Sequence, residues 1–144
     1  MLTKLKALSS SERALLAAAM FAVAVAALVI AVVPFRHIAA YASRRPARPA
    51  PAGDDWVRMI GEVRWAVQAC ARRAPWRAKC FEQSLAALWL LRRRGIATTL
   101  HYGVAQRAGQ GLAAHAWVRA GADEIVGCES SSEFTELARF PAEV

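Results

Sequence analysis

The stretch KCFEQSLAALWLLRRRGIATTLHYGVAQ, residues 79–106, decides the fold because its apolar period changes partway along. Up to Gly95, Phe81, Leu85, Leu88 and Leu91 or Arg92 recur along one side at helical spacing. Arg92, Arg93 and Arg94 make a basic last turn, and Gly95 follows them as a helix C-cap does. Beyond Gly95 the period is two: Leu100, Tyr102 and Val104 alternate with Thr99, His101 and Gly103, as in a strand. Lys79 and Cys80 open the helix, so Cys80 falls at a helix N-terminus.

Toward the C-terminus the alternation continues. Leu112, Ala114, Ala116 and Val118 alternate with Ala113, His115 and Trp117. The glycines of AGQG, residues 108–111, and the AGADE segment, residues 120–124, supply turns between strands. A third strand is expected at Glu124 to Cys128, which gives an antiparallel meander. In SSSEFTELARF, Ser130 and Glu133 fit a capping box, but Phe134, Glu136, Ala138 and Phe140 alternate, and the reading taken is a closing strand.

Toward the N-terminus, Asp54 or Asp55 caps a helix whose apolar residues Trp56, Ile60, Val63 and Val67 share a face, and Pro75 separates it from the next. The fold class expected for residues 54–144 is therefore α+β, helices first and then an antiparallel sheet packed against them. Residues 43–53 are rich in Pro, Ala and Arg and read as an extended linker.

Residues 1–42 have a different character. Ala14 to Val33 carries no charge or strong polar group, and its length matches the roughly 30 Å hydrocarbon core of a bilayer. Ser9, Ser10 and Ser11 offer N-caps, and Pro34 ends the run. A spanning helix is the first reading, so membrane association is expected. A helix docked on the domain or lying in the interface is the second. A signal peptide is the third, with Ala40-Tyr41-Ala42 resembling a cleavage site. Arg36, Arg44, Arg45 and Arg48 outnumber Lys4, Lys6 and Arg13, which favours a cytoplasmic domain at the inner membrane, or a cytoplasmic protein if the helix docks.

Composition narrows the function. A net charge of +8 over 144 residues invites a nucleic-acid reading, but the basic residues are scattered, and lipid attraction and helix-end electrostatics account for most of them. No nucleic-acid partner is expected. Cys70, Cys80 and Cys128 are an odd number without close pairing, which fits a reducing compartment better than a disulfide framework. Their spacings lack the close pairs of a zinc site, and no metal or cofactor is expected.

Cys80 and His115 carry the candidate chemistry. A thiol attacks as its thiolate, and a helix N-terminus together with a neighbouring imidazole stabilises that anion. Cys80 has the first feature locally, and a His in the middle of a following strand can reach the start of a packed helix. A Cys in an apolar helix is also commonly a small buried hydrophobe, so the pairing alone leaves both readings open.

A Cys at a helix start, a Leu-rich helix ending in Arg93-Arg94-Gly95, a Gly103-Val104 strand and then AHAWV, residues 114–118, occur in one order. That order resembles the transglutaminase-like leader peptidases of lasso peptide biosynthesis, the stand-alone protease half of the split B protein. The similarity is close from Pro75 to Val118, and Pro34 to Arg36 is similar too. The resemblance implies a minimal transglutaminase-like (papain-like) domain with a Cys-His-Asp triad. In it Cys80 attacks the scissile carbonyl, His115 carries the proton, and the Cys80 backbone N–H helps hold the oxyanion. The triad acid is expected on the strand after His115, where this chain has Gly127. Glu129, two residues on and so on the same strand face, is the acid chosen, while a register shift or a backbone carbonyl would also orient the imidazole. Trp76, Gln83 and Trp117 are placed near the cleft, mainly as packing, and His101 is expected at the surface or behind the site.

The implied activity is cysteine endopeptidase action that removes the leader from a ribosomally made precursor peptide. Its implied partners are that precursor, a small leader-binding protein and a macrolactam-forming cyclase. Acyl transfer to an amine by the same thioester chemistry and a non-catalytic membrane-anchored scaffold are the alternatives.

Overall fold

The computed structural model describes residues 7–75 and 79–142. Helix α1 spans Ser10–Val32 and starts on a capping box, in which Ser9 Oγ accepts from the Glu12 N–H and the Glu12 carboxylate accepts from the Ser9 N–H at 2.7 Å. That backbone hydrogen bond holds the Glu12 carboxyl below its usual range. The helix stops where Pro34 removes a backbone donor and forces Val33 into an extended conformation. The same proline then occupies the N-cap position of a second helix, α2, Phe35–Ala42. Sequence reasoning had seen only the stop, although a proline suits a helix start equally well.

After the irregular segment 43–53 comes α3, Asp54–Arg73, with Ile60, Val63, Ala66, Val67 and Cys70 buried. Helix α4, Cys80–Arg92, follows, and Gly95 closes it at φ 81°. A Cβ on Gly95 would run into the Pro49 carbonyl, so this turn also seats the linker. Ser84, Leu85, Ala86, Ala87, Leu88, Leu90 and Leu91 are all buried, leaving α4 little solvated face. The reason is its position, with α1 and α3 packed on it and the sheet beneath.

Strands β1 (Thr99–Arg107), β2 (Gly111–Ala120), β3 (Asp123–Val126) and β4 (Thr135–Phe140) form one antiparallel sheet in the order β3-β2-β1-β4. The closing strand is present as expected, on the far side of β1 from β2. Between β3 and β4 lies a 3-10 helix, Cys128–Glu133, which starts after Gly127 without a side-chain cap. The third strand is shorter than expected because Gly127 turns left-handed at φ 78°.

The core joins both parts of the chain. Leu15, Ala19, Ala22 and Val23 of α1 are buried in one cluster with Val63 and Val67 of α3, Leu88 and Leu91 of α4, and Leu100, Val118 and Val126 of the sheet. Cys70 Sγ donates to the Leu16 carbonyl at 3.4 Å, tying α3 to α1. Arg92 donates to the Tyr41 and Ala42 carbonyls and lies 4.8 Å over the Tyr41 ring, so it closes the C-terminal end of α2. Arg92, read from the sequence as part of a basic last turn, is thus a half-buried clamp, and burial pushes its basicity down.

Candidate active site

Cys80 is the first residue of α4 and is partly exposed. Glu82 reaches back to accept from the Lys79 N–H at 2.9 Å, which fixes the first turn behind the thiol. One turn further on, the buried Ser84 donates from Oγ to the Ala116 carbonyl at 3.2 Å. Residues four apart share a helix face. The bond therefore brings the Cys80 side of α4 against the Ala116 position of β2.

That carbonyl is open to a side chain because β3 has ended. Val118 pairs with Val126, and the chain then leaves the sheet at Gly127. A Cβ on Gly127 would sit 2.7 Å from the Ala116 oxygen and 3.3 Å from the Trp117 backbone. Close approach and positive φ both demand glycine, so an aspartate has no room at this position.

His115 uses this notch. Its Nε2 lies 2.6 Å from the Gly127 carbonyl oxygen and 3.4 Å from Ser130 Oγ. A carbonyl only accepts, so Nε2 carries the hydrogen, and in the neutral ring Nδ1 keeps the lone pair. The ring stacks between Trp117, 5.8 Å away, and Phe134, 4.8 Å away. His115 and Trp117 share the sheet face opposite Ala116, which points toward the helices. No hydrogen bond joins Cys80 to His115 among the described residues, and their placement is linked through Ser84 and Ala116.

The nearby acids are otherwise disposed. Asp123 accepts from Trp56 Nε1 at 3.0 Å, and Glu124 pairs with Arg119 at 3.5 Å. Glu129 is exposed and lies in the 3-10 helix, so the strand-face alternation that selected it does not extend to it. The His115 partners are Gly127 and Ser130 instead. Ser130 was missed because nothing in a run of three serines marks which one faces a histidine.

The other cysteines are unlike Cys80. Cys70 and Cys128 are buried, and burial pushes both thiols up. Cys128 Sγ donates to the Val118 carbonyl at 3.4 Å. Trp117 is buried and stacks on His101 at 5.4 Å, lying against Gly103, where a Cβ would touch its ring. His101 is itself buried, with Nδ1 3.3 Å from Glu136, which sets aside a surface position and leaves the other expectation, a place behind the site. Trp76 lies outside the described residues.

Comparison with curated proteins and with solved structures found no match. The family model described as Transglutaminase-like superfamily matches residues 13–139, a span that takes in α1 as well as the site. A helix that starts on a cysteine and packs on an antiparallel sheet bearing a histidine is thus set in a recognised frame, and the chain belongs to the transglutaminase-like superfamily.

Proposed function

We propose that this chain is a cysteine endopeptidase that removes the leader from a ribosomally synthesised lasso precursor peptide. The superfamily contains both cysteine peptidases and acyltransferases, so catalysis through a thioester is the shared chemistry. The observation that carries the reading is the His115 Nε2 contact to the Gly127 carbonyl, which leaves Nδ1 as the basic nitrogen of the ring.

In this mechanism Cys80 and His115 meet across the notch where β3 ends. His115 Nδ1 takes the thiol proton as Cys80 Sγ attacks the scissile carbonyl, and it returns that proton to the leaving amine. The Cys80 backbone N–H, one of the unpaired donors at the start of α4, faces the oxyanion. Water then cleaves the thioester, which frees the acyl fragment as a carboxylate and regenerates the Cys80 thiol. The Gly127 carbonyl and Ser130 take the orienting place of the triad acid.

The small domain supports a division of labour, with a separate leader-binding protein presenting the precursor and a macrolactam-forming cyclase taking the product. The test combines purified protein, the leader-binding partner and a cognate precursor. Cleavage is expected from the native chain and from Glu129→Gln, and Cys80→Ala should abolish it. Undiminished cleavage by Cys80→Ala would falsify the assignment, and an amide adduct in place of a free carboxylate would identify an acyltransferase.

A further inference from the structure

Helix α1 has two apolar faces, and only one is used by the fold. Leu15, Ala19, Ala22, Val23 and Ala26 are buried against the domain. On the other side Phe21 (62% exposed), Leu28 (62%) and Val32 (68%) stand in solvent with the partly exposed Val25, at positions i, i+7, i+11 and i+4. This is a single stripe about 16 Å long at 1.5 Å per residue. A helix whose inner face closes a domain core does not cross a bilayer without losing that core. Beside the stripe runs an apolar groove of about 280 Å³, lined by Val25, Val29, Tyr41, Leu85 and Trp89. Tyr and Trp are side chains that favour the headgroup boundary.

The stretch of chain that carries this surface has charge of one sign. Between Glu12 and Asp54 the chain has no acidic residue, yet it carries Arg13, Arg36, Arg44, Arg45 and Arg48. All five are exposed. An apolar stripe with a cationic surround matches an anionic lipid surface, where apolar burial and headgroup attraction add.

We propose that α1 lies in the plane of an anionic membrane surface, with Phe21, Val25, Leu28 and Val32 in the acyl boundary and the arginines on the headgroups. The domain then sits on the membrane as a monotopic protein. This inference is independent of the peptidase reading, because vesicle binding needs neither precursor nor thiol.

The experiment is flotation of the full chain with phosphatidylcholine vesicles, with and without phosphatidylglycerol. The native chain should float with the anionic vesicles, bind the neutral ones at least about tenfold more weakly, and be released by high salt or alkaline carbonate. Phe21→Asp with Leu28→Asp, checked for folding by circular dichroism, should abolish flotation, and Arg44→Gln with Arg45→Gln and Arg48→Gln should weaken it. Failure of the native chain to float would overturn the proposal, as would retention after carbonate extraction, which marks a spanning helix. Full binding by both sets of variants would do the same.

Discussion

His115 and Gly127 form a pair in which one residue has what the other lacks. The imidazole needs an acceptor at Nε2, and the glycine offers its backbone oxygen where the superfamily pattern led us to expect a carboxylate. Glycine is required there on two counts, its φ of 78° and the 2.7 Å approach of a Cβ to the Ala116 oxygen. Gly127→Ala should therefore cost about 1 to 3 kcal/mol of stability, read as a lower denaturation midpoint; an unchanged midpoint would show that the turn is not strained by a side chain. Gly127→Asp should behave like the alanine variant and not as a repaired triad. The sequence displayed Cys80 and His115 because both residue types stand out against an apolar helix and an alternating strand. It left the orienting group open between Glu129, a register shift and a backbone carbonyl, because a backbone carbonyl has no signature in the residue that carries it.

At the scale of elements, the site depends on where β3 stops and on what α4 touches there. The Ser84 hydroxyl takes the Ala116 carbonyl that a longer β3 could have paired. Ser84→Ala should cost about 1 to 3 kcal/mol, since it leaves a buried acceptor unpaired, and leader cleavage should slow along with the loss of stability. A stability change without any effect on cleavage would mean that this bond does not position the thiol. Across the sheet, His101 of β1 meets Glu136 of β4, which Arg139 also grips at 2.6 Å. Burial alone would raise the Glu136 carboxyl, but these two partners outweigh it and hold the group below its usual range. A carboxyl with a depressed folded pKa adds stability above the ordinary carboxylate range and loses it as pH falls through its folded value. Acid unfolding should accordingly shift to lower pH in Glu136→Gln relative to its own neutral stability, and an identical pH slope in both proteins would remove Glu136 from the account. The strands were legible from alternation, and α3 and α4 from their apolar faces. Helix α2 and the early end of β3 were not, because each turns on a Pro or Gly that serves two neighbours at once.

At the scale of the whole molecule, α1 shares the main core with α3, α4 and the sheet and contributes to it small residues that let helices approach closely. The apolar run had suggested a segment separate from the domain, since hydropathy records how apolar a helix is and not which face is covered. Val23, fully buried, should cost about 2 kcal/mol on truncation to Ala, whereas exposed Leu28→Ala should change stability by less than about 0.5 kcal/mol; equal small effects would detach α1 from the fold. The same packing sets α4 against the sheet, and on it rests the proposed pairing of the Cys80 thiol with the His115 imidazole. That pairing is tested most directly by the rate at which an alkylating reagent labels each cysteine at neutral pH, in the native chain and in His115→Ala. Cys80 should react much faster than the buried Cys70 and Cys128, and His115→Ala should slow Cys80 by at least about tenfold while leaving the other two unchanged. Equal slow labelling of all three cysteines, or a Cys80 rate indifferent to His115, would contradict the account.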